Sequence, residues 1–336
     1  MTVWRNTEIR TPLLMLLLRL TCVALLAATA WSGPAVAQAP PAAPRIEDHM
    51  AWYDATLRET ADVPASERTR LIVQRIRNLN PAAPLLPNPD DRWNLLAAQD
   101  AIALYEADPA LAARHAAVLR DHIGASTERF TALFPRYRAP TAVVIAPSLG
   151  FNGQVFSRDN RPIPYFAPDA TARLQSEASL RYLVDHELFH AYHLRHFSIC
   201  GEVWCRLWRE GLAVYVGARL NPSLGDRDLS LETPRPIRRV IDANMTLAMC
   251  RVKQHFRSFN SADAVGIFDT PQDLDPRLPP RFGYYLGMRM AATLNETIPL
   301  DRLATMTPAE VRPLLEAELA KYDCPPASPV ALPASG

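Results

Sequence analysis

His186, Glu187 and His190 stand in the order His-Glu-Leu-Phe-His, two imidazoles four residues apart with a carboxylate beside the first. On a helix, positions i and i+4 share a face about one turn apart, so both rings can address one metal ion. Glu187 is then placed to take a proton from a water molecule at that metal. A catalytic site of this kind needs a third protein ligand and one open position. The chain offers two candidates for that ligand. Glu210 lies in Trp208-Arg209-Glu210-Gly211-Leu212-Ala213, twenty residues beyond His190, and His196 lies ten residues beyond His186.

The elements that carry these residues separate the candidates. Thr171 to His196 reads as one long helix whose core stripe is Leu174, Leu180, Leu183, Val184 and Leu188. Trp204 to Leu220 reads as a second helix, with Leu207, Leu212, Val216 and Leu220 on its apolar face. Gly211 and Ala213 are small, as close packing of the second helix on the first requires. His196 has the spacing of a third histidine in zinc sites whose chain turns sharply at a glycine after the second. Here that position is His193, and Ala191, Tyr192, Leu194 and Arg195 around it suit a helix. A continued helix carries His196 away from the metal, which favours Glu210. His193 and His196 are then surface or supporting histidines.

The 336 residues allow one large domain or two ordinary ones, and 49% hydrophobic residues suffice for a core. A net charge of +1 gives no bulk electrostatic reason to expect nucleic acid or an acidic membrane as partner. Proline is abundant at 31 residues, about twice ordinary usage. Part of that excess falls in Pro34–Pro44 and Pro325–Pro333, which read as linker (38–44) and tail (324–336).

Residues 1–37 have the pattern of an export signal: Arg5 and Arg10, an apolar run from Leu13 to Ala30, then Ala35-Val36-Ala37 as a cleavage site. The alternative is an uncleaved N-terminal anchor. After cleavage following Ala37 no membrane association is expected, and the location is periplasmic or secreted. Four cysteines then remain, an even number in an oxidising compartment. The favoured pairing is a local Cys200–Cys205 bridge and a long-range Cys250–Cys324 bridge; four free thiols are the alternative.

Residues 45–138 read as a helical N-terminal region, with helices at Ile46–Glu59, Ser66–Leu79, Asp90–Tyr105 and Pro109–Ile123, the last stopped by Gly124. His49, His115 and His122 within it are lone residues of structural or surface type. Residues 139–220 open with strands at Thr141–Ala146, Gln154–Ser157 and Pro162–Ala167, then carry the two metal helices. Pro162 and Pro164 mark the third strand as an edge, either one that pairs with an extended peptide or an ordinary protected edge. Residues 221–323 read as a helical C-terminal lobe: a loop at Asn221–Arg235, a helix at Ile237–Phe259, an irregular stretch at Asp263–Pro280 long enough to form a lid, a helix opening at Arg281, and a final helix after Thr307-Pro-Ala-Glu310. The fold class expected is α+β, mostly helical, with a small mixed sheet over the metal helix and helical lobes on both sides. His255 is a candidate transition-state donor, with a structural histidine as the bland reading.

His-Glu-x-x-His followed about twenty residues later by Trp-x-Glu-Gly-Leu-Ala resembles the gluzincin clan, the thermolysin-like and aminopeptidase-like zinc peptidases. Within it the chain is similar to the predicted exported zinc-dependent proteases of bacteria, which share an E-G-L-A helix and a later G-Y-x-x-G segment, here Gly283-Tyr284-Tyr285-Leu286-Gly287. The resemblance covers about Thr141 to Leu294. It implies a zincin-like catalytic part, Zn2+ held by His186, His190 and Glu210, and Glu187 as general base. It also selects Tyr284, ahead of Tyr285, as the hydroxyl that faces a developing oxyanion; packing at a helix start is the alternative role. One departure stands out. The thermolysin pattern places an aspartate four residues after the third ligand to support a ligand histidine, and here that residue is Val214.

These features imply a zinc-dependent hydrolase of the peptidase type acting on a peptide or protein substrate. The alternative is an exported binding or assembly protein that keeps a zincin-like fold without hydrolysis. No G-x-M-E-N amine-binding motif is present to favour an aminopeptidase.

Overall fold

The computed structural model describes residues 43–232, 235–269 and 275–325. The export signal, most of the linker and most of the tail lie outside the described residues, as does the centre of the stretch read as a lid. The described residues form one compact unit.

The chain enters this unit as a strand. β1 (Arg45–Asp48) pairs in parallel with β2 (Ala142–Ile145), Arg45 opposite Ala142 and Asp48 opposite Ile145. The helix expected from Ile46 therefore begins only at α1 (Met50–Glu59), where the Asp48 carboxylate accepts from the Met50 N–H. Local periodicity lost here to a partner strand about a hundred residues away, an influence that no short window contains. α2 (Ala65–Leu79) follows Pro64. α3 (Arg92–Ala107) starts at Asp91, whose side chain accepts from the Trp93 and Asn94 N–H groups. α4 (Pro109–Leu133) is capped by Asp108 and runs straight through Gly124. Gly124 does not stop it because the buried stripe of Leu119 and Ile123 continues through Ser126, Thr127 and Phe130.

β2 is buried along its whole length. β3 (Gly153–Arg158) and β4 (Arg161–Phe166) form a hairpin around Asp159 and Asn160, both with positive φ (53° and 58°), the pattern of a type I′ turn. The sheet order is β1-β2-β4-β3, with β3 antiparallel to β4 and the other pairs parallel. This corrects the placement of the proline-bearing strand: β4 is interior and β3 is the edge. A two-residue hairpin closes on a hydrogen-bonded pair, here Arg158 and Arg161, so Pro162 and Pro164 fall on the alternate positions whose nitrogens face away from β3. On the other side β2 pairs β4 only at Tyr165 and Phe166. Neither proline removes a donor that the sheet uses.

Two helices replace the single one expected over 171–196. α5 (Pro168–Leu174) ends before Gln175, and α6 (Glu177–His193) restarts on Ser176, whose hydroxyl accepts from the Ser179 N–H. α6 packs on β3 and β4, against α4, and against α7 (Val203–Leu220). Beyond it lie α8 (Ile237–Ala243), α9 (Met245–His255), α10 (Ser261–Phe268), α11 (Phe282–Asn295), α12 (Leu300–Leu303) and α13 (Pro308–Ala320). The helix expected over 237–259 thus breaks at Asn244. α10 occupies part of the stretch read as irregular, started by the Asn260 side chain on the Ala262 N–H. The Glu310 carboxylate accepts from the Thr307 N–H, as the capping box predicts.

α7 and α11 cross with their backbones close together at a pair of glycines. A Cβ placed on Gly211 would lie 2.2 Å from the Gly287 carbonyl carbon, and one on Gly287 would lie 2.3 Å from the Leu207 oxygen. Gly211 therefore admits α11, not α6 as its neighbourhood suggested. The glycine that admits α6 is Gly217, where an added Cβ would lie 2.7 Å from the Tyr182 ring. Cys200–Cys205 and Cys250–Cys324 are both bridged, in the favoured pairing. Among the described residues no helix is long and apolar enough to cross a membrane.

Candidate metal centre

α6 turns His186 and His190 to one side, and α7 brings Glu210 to meet them. The His190 Nε2 atom is 3.0 Å from His186 Nε2 and 3.2 Å from Glu210 Oε2, and His186 Nε2 is 3.5 Å from that same oxygen. Ligand atoms about 2.0–2.1 Å from a tetrahedral zinc ion stand about 3.3 Å from one another. The three observed separations bracket that value. Two imidazole nitrogens and a carboxylate oxygen, nearly buried, converge without side-chain donors enough to satisfy them all when both rings carry their proton on Nδ1. Among the described residues this is the one group of three or more such side chains with ligand atoms in mutual reach.

Burial would lower His190, but the Glu210 carboxylate outweighs it and holds that imidazole above its ordinary range. For His186 burial wins, and the ring is easier to deprotonate. Burial would raise Glu210, yet the two histidines hold it well below the usual carboxylate range. Each group is thus biased by the other members of the triad.

The other histidines are elsewhere. His196 lies past the end of α6, edge-on to Tyr192, and is absent from the cleft that the triad lines. His193 is not at the surface: it is fully buried, stacked between Phe189 and Phe197, with Nδ1 2.8 Å from the Ala304 carbonyl oxygen. Burial pushes it down to about 3, so it stays neutral. His255 pairs with Asp263 at 3.1 Å and does not reach the cleft, which removes it as a transition-state donor.

Glu187 lines the cleft beside the triad, 7% exposed, against the edge strand. A Cβ on Gly153 would come 3.0 Å from its Cγ, so glycine there leaves the carboxylate its room. Burial pushes Glu187 up to about 7, and the neighbouring Glu210 charge adds to the rise. Of the two tyrosines, Tyr284 lines the cleft, whereas Tyr285 donates to Asp242 at 2.8 Å on the far side of α11. Burial pushes the Tyr284 hydroxyl up to about 12, so it remains a proton donor across the neutral range.

Two supports were not legible from the motif. Tyr182, one turn before His186, sets its hydroxyl 3.4 Å from His186 Nδ1. If Nδ1–H donates to that oxygen, the Nε2 lone pair faces the triad. This is the partner that Val214 cannot provide. Tyr182 sits four residues before His186, and that spacing was the available signal. Asp185 is buried and receives both terminal nitrogens of Arg129 (2.6 and 2.9 Å) and the Asn221 amide (2.7 Å). It ties α6 to α4 and to the end of α7. We expect Tyr182→Phe to weaken zinc binding about tenfold while the fold holds. Competition against a chromophoric chelator measures it, and unchanged affinity would remove Tyr182 from the site.

The cleft has a volume of about 560 Å³ and is lined from one side by Asn152 to Val155 at the sheet edge and from the other by α7 and the start of α11. No family model, curated protein or solved structure matches the chain.

Proposed function

We propose that the protein is a zinc-dependent hydrolase of the peptidase type with a gluzincin-like site in a zincin-like catalytic part. The observation that carries this reading is the convergence of His186, His190 and Glu210 at tetrahedral spacing with Glu187 beside them. A site whose metal only braced the fold would have no use for a free carboxylate at that place. Zinc held there supplies an acidified water and polarises a carbonyl oxygen.

The chain's own groups provide the remaining chemistry. An extended peptide pairs with the open edge of β3, which lines the cleft, and so lies across the site. Glu187, its affinity for a proton raised by burial, takes the proton from the attacking water and delivers it to the departing amine. Tyr284 donates from its hydroxyl to the carbonyl oxygen as charge develops on it. Arg209 Nη2, 3.4 Å from Glu210 Oε1, steadies the oxygen that faces away from the histidines. The two bridged cysteine pairs support an oxidising location, periplasmic or secreted.

Metal analysis of the purified protein and of Glu210→Ala is the test. One zinc per chain in the wild type and near-complete loss in the variant are expected. Zinc retained in the variant would overturn the triad. No zinc in the wild type would favour a binding or assembly protein that keeps only the motif.

A further inference from the structure

Three arginines, Arg206, Arg209 and Arg281, line the cleft, and their partners differ. Arg206 is committed: both terminal nitrogens bond Asp269 at 2.9 Å, and its plane lies 4.8 Å from the Phe268 ring centre. Arg209 is held on the third ligand, Glu210. Arg281 has no carboxylate partner among the described residues. Its guanidinium lies over the Tyr284 ring, 4.9 Å from the ring centre, and so is presented beside the hydroxyl assigned to the oxyanion.

The backbone sets it there. Arg281 precedes α11 in the left-handed region, at φ 65° and ψ 13°, a conformation unfavourable for an arginine. Gly283 two residues on leaves no room for a side chain, since an added Cβ would lie 2.5 Å from both Ile267 and Phe268. The start of α11 is thus clamped on α10, and the strained residue lines the cleft. Backbone strain of this kind is kept where surrounding packing imposes it, and it concentrates at working sites.

A guanidinium offers a planar fork of donors matched to a carboxylate. Arg281 is the cleft arginine whose guanidinium is left without a carboxylate among the described residues, so it is the one free to receive an anion. We infer that Arg281 is the anion-binding residue of the cleft and selects peptides that place a carboxylate there, either the free C-terminal carboxylate or an acidic side chain. The inference rests on the peptidase reading. Apolar walls at Leu229, Leu231 and Val155 leave room for the neighbouring side chains.

The test uses the zinc-treated full chain bearing Glu187→Gln, so that binding is read without turnover. Two pairs of otherwise identical peptides are titrated by calorimetry: a C-terminal acid against its amide, and an internal Asp against Asn. One pair is expected to show about tenfold or greater preference for the acid, the range of a charged hydrogen bond, and which pair does so identifies the source of the carboxylate. Adding Arg281→Asn, which removes the cation yet suits a left-handed backbone, is expected to erase the preference; Arg281→Lys is expected to keep part of it. Equal affinity within both pairs overturns the inference. So does a preference that survives Arg281→Asn, because the carboxylate then sits on the metal or on Arg209. Zinc content measured on the same samples separates this result from failure of the peptidase reading: the acid–amide ratio is read whether or not metal is present.

Discussion

Glu187→Gln is expected to retain one zinc per chain and to lose peptide hydrolysis by a factor of about 10²–10⁴, the usual worth of a positioned general base. The two outcomes separate because Glu187 stands apart from the three converging atoms of His186, His190 and Glu210. Glutamine has nearly the shape of glutamate, so it fits the gap left by Gly153 without moving β3. It cannot accept and return a proton. Steady-state hydrolysis of a quenched peptide, with metal analysis on the same preparation, reads both quantities. A variant that cleaves at the wild-type rate would remove Glu187 from the mechanism, and one that loses zinc would show that the carboxylate helps hold the ion.

Gly287→Ala is expected to destabilise the fold by about 3 kcal/mol, the upper part of the range for overpacking a tight interior, and to impair metal binding with it. The obstacle is backbone: the new methyl would meet the Leu207 oxygen at 2.3 Å and the Gly211 Cα at 2.8 Å, and neither can rotate away as a side chain could. α7 must shift, and Glu210 is the residue beside Gly211. Gly124→Ala is the control. It lies inside α4 with nothing within 4 Å of an added Cβ. Alanine there is expected to raise stability by about 0.5–1 kcal/mol, its ordinary advantage in a helix. Urea denaturation of the two variants and the wild type checks both signs. A Gly287→Ala protein as stable as the wild type would mean that the helices can part freely.

The convergence of His186, His190 and Glu210 was legible because their spacing is local. His186 and His190 share one helix face by spacing alone, and Glu210 follows on the next helix. Both cysteine pairings were likewise anticipated. What escaped depends on partners remote in sequence. β1 exists because β2 lies beside it. The interior place of β4 follows from a register in which Pro162 and Pro164 use no donor, while a proline read alone says edge. Gly124 marks a stop only if the stripe beyond it is ignored. Ser176 breaks the long helix through a cap, and a serine within a helical pattern is an ambiguous sign. Tyr182 shares a helix with His186 and its spacing was legible, whereas the Arg129–Asp185–Asn221 cluster is invisible to a motif because it needs to be seen against neighbouring helices. The small residue that motif spacing assigned to the α6 contact proved to serve α11 instead, and periodicity cannot say which neighbour a helix face will meet.

The four residues of β1 also decide where the protein can be trimmed. A chain begun at Met50 would keep every described helix and every residue of the candidate metal centre. It would also uncover the flank of β2, Ala142 to Ile145, all four of them buried in the intact sheet. A bare row of strand donors and acceptors on an apolar segment is a template for another chain. β1 therefore acts as a guard against self-association, and its exposed end residues, Arg45 and Asp48, put charge on the edge that it presents in place of that of β2.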